Sequence, residues 1–394
     1  MIPKIHRLSN LVCLNILLLM IIVACSTKPQ PGTPTQIAAV DVTNCELANV
    51  AGEVEIFPAQ SSSSKIASDT TAVQCGDEIL LKSGSSAELY CGNLDPQYLV
   101  AGITFTVNCT SGKIPTMPCY ADQGCRGFAT GHGVGSPERE GTIQIPYVIE
   151  PRATLLLEQP KILRWNPVDG ASEYEVTVRG RDLRWVTTTT ESEVVYTGDP
   201  FLPGVDYTFE VTTFITDETG EALRISSQDE GQPGLSFALL SAKDVAHFQK
   251  SFDNIQQTSP SSTERIIAEY NLYLSYGLNL AAIHLLEREI DSSETNPVLI
   301  HLQGQAYRNV ALLKEAESAY SLALEQAAKL NDLNVIGQSN TGLGLLLCGA
   351  DGVDQAGTGI DYLETALSTY EQLGYVVEIN RLNKEIETCY LSDN

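Results

Sequence analysis

A chain of 394 residues is long enough for two or three domains, and a 43% hydrophobic share is ordinary for packed globular ones. Its 49 acidic against 24 basic residues give a formal net charge of -25. Such a surface repels phosphate backbones and anionic headgroups, which argues against nucleic acid as a partner and against lipid binding by the folded surface.

The chain begins with Lys4, His6 and Arg7, followed by an apolar run from Leu11 to Ala24 broken only by Asn15. A basic start and an apolar stretch shorter than the roughly 20 residues a spanning helix needs form the pattern of a secretory signal. Ile22-Val23-Ala24-Cys25 then resembles the bacterial lipobox. The resemblance implies that residues 1–24 are removed and that Cys25 becomes the acylated first residue, held in the bilayer by its acyl chains. The alternatives are an uncleaved single anchor or a plain signal with an accidental cysteine. Ser26, where inner-membrane retention would want Asp, favours the outer membrane. Residues 25–36 carry three prolines and almost no apolar side chain, a flexible tether.

Six cysteines cluster next: Cys45, Cys75, Cys91, Cys109, Cys119 and Cys125. An even set in an exported domain reads as disulfides. Zinc sites pair cysteines two to four residues apart, a spacing that Cys119 and Cys125 exceed, so no metal is expected. Cys348 and Cys389 are left open between free buried thiols and one bridge.

Residues 37–110 read as short strands, at Val54-Glu55-Ile56-Phe57, Ile79-Leu80-Leu81, Ala87-Glu88-Leu89-Tyr90 and Ile103 to Val107, separated by turn residues. Gly52-x-Val54, Gly76-Asp77-Glu78-Ile79 and Ser86-Ala87-Glu88-Leu89 resemble the FecR-type periplasmic module. The chain lacks that family's cytoplasmic arm and spanning helix, so iron-uptake signalling is not carried over. Residues 111–147 form a Gly/Pro-rich loop region; Gly131 to Pro137 lacks the Gly-Lys-Ser/Thr of a phosphate cradle, and His132 is a loop histidine.

Residues 148–240 carry the sharpest alternation. A strand ending in Trp165, a Pro/Gly turn and Tyr174-x-Val176-x-Val178 resemble a fibronectin type III domain, as does Leu202-Pro203-Gly204 before Tyr207. The resemblance implies a two-sheet β-sandwich with Trp165 in the core and the Tyr207 hydroxyl satisfying backbone at a corner. A rigid spacer is the expected role.

Helices occupy 241–394. Asp244 to Gln256 reads as a connecting helix. Tyr307 and Ala316 repeat Tyr273 and Ala282 at a 34-residue period, and Gly304, Tyr320 and Ala323 complete a pattern resembling tetratricopeptide repeats. Pro297 opens the second unit. A third unit starts near Val335, with a long turn from Asp351 to Gly359, a second helix from Ile360 to Leu373, a stop at Gly374 and a capping helix from Val376 to Tyr390. The fold expected is therefore a multidomain β-then-α chain: FecR-like β module, fibronectin type III-like sandwich, C-terminal α-solenoid.

The chain holds no His-Glu-x-x-His, Gly-x-Ser-x-Gly or Walker A sequence, so neither catalysis nor a cofactor is expected. The tetratricopeptide resemblance implies a groove lined by the first helix of each unit, placing Asn271, His301, Gln305, Arg308 and Asn309 (with Val298, Leu302 and Ser275) towards a bound peptide. Amides would bond an extended backbone and Arg308 a carboxylate; the alternative is that these residues only solvate a helix face. The expected function is a lipid-anchored scaffold facing the periplasm, binding a protein or peptide. The alternative is a structural envelope component whose β modules bind cell-wall glycan.

Overall fold

The computed structural model describes residues 45–61, 63–91, 96–101, 104–107, 145–216, 222–230, 236–258, 262–292, 296–348 and 353–392. Cys25, Cys109, Cys119, Cys125, His132 and the glycine-rich loop lie outside them. A β-rich N-terminal region is followed by a helical C-terminal region, with seventeen strands and eight helices among the described residues. No helix of the described residues is long and apolar enough to cross a membrane.

The first β module is two antiparallel sheets. One runs β4 (Thr71–Val73), β1 (Cys45–Ala51), β6 (Ser86–Cys91) and β7 (Gln97–Val100). The other runs β3 (Lys65–Ile66), β2 (Val54–Phe57), β5 (Glu78–Leu81) and β8 (Thr104–Thr106). Period-2 patterning puts Val54, Ile56, Ile79 and Leu81 of one sheet against Leu47, Leu89 and Leu99 of the other. Cys45 lies opposite Cys91 in the β1–β6 register, and the two are bonded. Cys75 is also disulfide-bonded. The register shifts between Ala48 and Ala51, where Asn49 takes φ 51°. This bulge re-aims the Asn49 side chain.

The second β module has a larger sheet in the order β10 (Thr154–Leu156), β17 (Ser236–Leu239), β15 (Tyr207–Thr216), β12 (Tyr174–Arg179), β13 (Arg184–Thr189), with β16 (Ala222–Ser226) also on β15. Facing it is β14 (Glu193–Val195), β11 (Ile162–Trp165), β9 (Val148–Glu150). Trp165 fills the space between the sheets, edge-on to Tyr174 at 5.4 Å and Phe209 at 6.1 Å between ring centres. The Tyr207 hydroxyl accepts from Leu202 N at 2.8 Å, satisfying the corner backbone.

The helical region is α1 (Ala242–Thr258), α2 (Ser262–Ser275), α3 (Asn279–Ser292), α4 (Pro297–Asn309), α5 (Leu313–Leu330), α6 (Leu333–Cys348), α7 (Val353–Leu373) and α8 (Val376–Ser392). Asn296 caps α4 by accepting from Val298 N, with Pro297 in the first turn. Close packing needs glycine at α4 and α6: a Cβ on Gly304 or Gly342 would stand 2.6–2.7 Å from the Tyr320 ring, which both helices clasp.

Where a long turn was expected from Asp351 to Gly359, the described part, from Val353 on, is the start of helix α7; Asp351 and Gly352 lie outside the described residues. Gly359 there serves close approach rather than a turn. A Cβ on Gly359 would meet Cys348 N at 2.7 Å, and one on Gly344 would meet the Gly359 carbonyl at 2.9 Å. Helices α6 and α7 thus cross backbone to backbone. Cys348 and Cys389 form a bridge joining the ends of α6 and α8.

The two β modules do not hang beside the helices. Tyr98, Val100, Tyr147 and Ile149 pack into the same apolar cluster as Ile266, Tyr270, Leu286 and Leu302. The segment joining β9 to β10 is sewn to the helices by its polar atoms. Arg152, buried, donates to the Val310 and Ala311 carbonyls just past the end of α4. Asn279 donates to the Ala153 carbonyl, and Leu280 N to Thr154 Oγ1. A guanidinium over the carbonyl end of a helix meets its negative pole and satisfies its orphan acceptors.

Candidate functional site: the face formed by the first helices

Helices α2, α4 and α6 stand side by side through polar contacts. The Tyr270 hydroxyl of α2 donates to Gln305 Oε1 of α4 at 3.1 Å, and His301 Nδ1 of α4 lies 3.3 Å from Ser339 Oγ of α6. Gln305 and His301 are buried, so two of the five residues expected to line a groove tie neighbouring helices together. Burial holds His301 down to about 4, keeping the imidazole neutral.

Asn271 is also buried, and its amide donates to the backbone carbonyl of Tyr98 on β7. As an edge strand, β7 turns a row of backbone groups outward, and α2 receives it. The Tyr98 ring lies in the shared apolar cluster. Its hydroxyl is sealed from solvent with no hydrogen-bond partner among the described residues. Burial, with Glu88, Tyr370, Tyr270 and Tyr320 nearby, pushes that phenol well above its ordinary range. Ser275 bonds within its own helix, to the Leu272 carbonyl. Leu302 is buried and Val298 partly so, both in apolar clusters. Arg308 and Asn309, at the end of α4, remain partly exposed.

At its other end this face meets β6. Gln338 of α6 donates to Glu88 Oε1 at 3.4 Å. Glu88 and Glu378, the latter in the first turn of α8, share two partners. Asn49 Nδ2 lies 3.1 Å from Glu88 Oε2 and 2.9 Å from Glu378 Oε1. The Tyr90 hydroxyl lies 3.0 and 2.9 Å from the same two oxygens. Arg381 stacks over the Tyr90 ring at 4.7 Å and pairs with Glu46 at 2.7 Å. Burial, then the nearby Glu378, pushes Glu88 up to about 7, and burial raises Glu378 as well.

The sequence pattern assigned no site role to Tyr98, Glu88, Tyr90, Glu378 or Arg152, although Glu88 and Tyr90 fell in an expected strand. One signal was present: Leu89-Tyr90 places two large side chains in succession, so β6 buries both faces. Among the described residues no group of three or more His, Cys, Asp or Glu is placed to hold a metal. No protein-family model and no curated protein matches this chain.

Proposed function

We propose that this chain is an exported, lipid-anchored, non-catalytic scaffold of the bacterial cell envelope. Cys25 is its acylated residue, the folded part faces the periplasm, and the outer membrane is its seat. Its helices act as a tetratricopeptide-like array that holds an extended protein or peptide on the face of α2, α4 and α6. The modules before it are FecR-like and fibronectin type III-like, a reading supported by the two paired sheets of each and by Trp165 and Tyr207 in their roles.

The observation that carries the reading is the grip of Asn271 on the Tyr98 carbonyl. A side-chain amide facing an open strand edge is the chemistry that holds an extended backbone irrespective of its sequence. Here the chain's own β7 takes that place on α2. A partner would engage the neighbouring end of the face, at Arg308 and Asn309.

A photoreactive residue placed at Asn309 in intact cells tests this. A discrete crosslinked adduct at Asn309, with none from the same probe at exposed Leu330, is the expected result. An adduct at Leu330 alone would move the binding surface elsewhere. Sedimentation of the protein with purified cell wall, without either adduct, would favour the glycan-binding alternative.

A further inference from the structure

The contact between β6 and α8 has a proton-counting problem. The Tyr90 hydroxyl carries one hydrogen, yet carboxyl oxygens of Glu88 and Glu378 both stand within 3.0 Å of it. Asn49 can serve both oxygens, because its amide nitrogen has two hydrogens. Tyr90 cannot. With both carboxylates ionised, one of its two contacts would be a bare oxygen–oxygen approach beside a charge. With one carboxyl protonated, that carboxyl donates to the phenol oxygen and the phenol donates to the other. A second observation agrees: Glu378 Oε2 is buried with no hydrogen-bond partner among the described residues, an arrangement tolerable for a neutral carboxyl and costly for an anion.

We propose that Glu88 and Glu378 hold one proton between them, and that this shared proton is a latch closing the C-terminal end of the helical array on the first β module. The surroundings of the pair are mixed. From β6 comes Tyr90; from β1, Asn49 and Glu46; from β7, Tyr98; from α6, Gln338; from α7, Tyr370; and Tyr375 and Asp69 lie nearby. Arg381 is the cation on this side, and its ion pair with Glu46 leaves it divided between two acids. Burial opposes an ionised Glu378, while its backbone N–H at the start of α8, the Tyr90 and Asn49 hydrogen bonds and Arg381 favour one.

The direction follows from which state keeps the proton. Below about 4.5 the open and closed forms are both protonated, and pH has no effect through this pair. Between about 4.5 and about 7 the closed form keeps a proton that the open form releases. Raising the pH across that window weakens closure, and above it the effect levels off. This is the reverse of a carboxylate in an ordinary ion pair. Mild acid locks α8 down; neutral to alkaline conditions free it. The latch depends on the scaffold reading only for its consequence, access to the α2–α4–α6 face.

The test uses the full chain in detergent micelles and needs no partner. Amide hydrogen exchange is followed on peptides from Val376–Ser392 at a series of pH values, each rate divided by the unstructured rate at that pH. Protection should fall by up to about tenfold per pH unit within the window and then flatten. Glu88→Gln, a neutral mimic, should keep the low-pH protection at every pH. A flat wild-type profile, or an equal slope in Glu88→Gln, would overturn the latch. Should the variant fail to fold, infrared spectroscopy of the wild type at about pH 6 decides, because exposed carboxyls are ionised there. A buried protonated-carboxyl band supports the latch and its absence overturns it. A flat profile with an adduct retained at Asn309 would remove the latch and leave the scaffold; a sloped profile with no adduct would do the opposite.

Discussion

The side-chain amide of Asn271 donates to the backbone carbonyl of Tyr98, joining helix α2 to an edge strand 173 residues earlier in the chain. The same face binds β6 through Gln338 and Glu88 at its far end. The helical array is thereby fitted against the first β module along α2 and α6, while the segment from Glu150 to Thr154 locks it to the second. Burying an edge strand against a helix also removes a site for unwanted strand pairing.

Arg152 should be among the least replaceable residues of the chain. It is buried and its guanidinium reaches the carbonyls of Val148, Val310 and Ala311. Arg152→Lys keeps the charge but not the fork, and should lower stability by roughly 2–3 kcal/mol. Urea denaturation of the two proteins measures this; an unchanged midpoint would mean that the carbonyls find other donors.

Trp165→Ala should cost roughly 3–5 kcal/mol, by emptying the space between the two sheets of the second β module. The indole Nε1 has no hydrogen-bond partner among the described residues. Trp165→Phe should therefore recover a large part of the loss. Thermal unfolding of the three proteins separates these outcomes, and equal melting temperatures would contradict the core assignment.

Much of this module was legible because each strand carries its own instruction. Trp165, Tyr174, Val176 and Val178 announce a half-buried sheet within a few residues of one another, and Gly204 with Tyr207 marks the corner. The 34-residue period from Tyr273 to Tyr307 exposed the helical hairpins in the same local way. What local pattern could not supply was the partner of each face. Asn271 and Gln305 read as exposed amides of a groove, because nothing near them in sequence says that β7 and Tyr270 cover them. Gly359 read as the end of a turn, since glycine permits a bend and a close helix crossing equally. The pairing of Cys348 with Cys389 depends on how α8 folds back, a tertiary fact.

Stability should also fall on mild acidification, through His301. Its folded value lies at about 4, against roughly 6.5 in an unfolded chain. The unfolded chain takes up a proton first, so stability declines from about pH 6.5 down to about 4 and changes no further below. The loss should approach about 3 kcal/mol. Denaturation midpoints of wild type and His301→Gln at pH 7 and pH 5 check this; an equal drop in both would assign the effect elsewhere.

Replacing Cys25 should separate the anchor from the fold. In Cys25→Ala the precursor should stay uncleaved or mislocalised, while the wild type should partition into detergent with acylated Cys25 as its first residue. Mass spectrometry of the mature terminus checks it, and a terminus at any other residue would contradict lipidation.

The most direct test of the grip between helices and β7 is residue-level hydrogen exchange of the full chain with Asn271→Ala. Losing a buried donor to the Tyr98 carbonyl should cost roughly 1–3 kcal/mol locally. Protection of Gln97–Val100 and Ser262–Ser275 should therefore fall together by about tenfold or more, while the second β module keeps its wild-type protection. If β7 retains full protection in that variant, the first helices do not hold an extended strand through Asn271, and the scaffold reading loses the observation on which it stands.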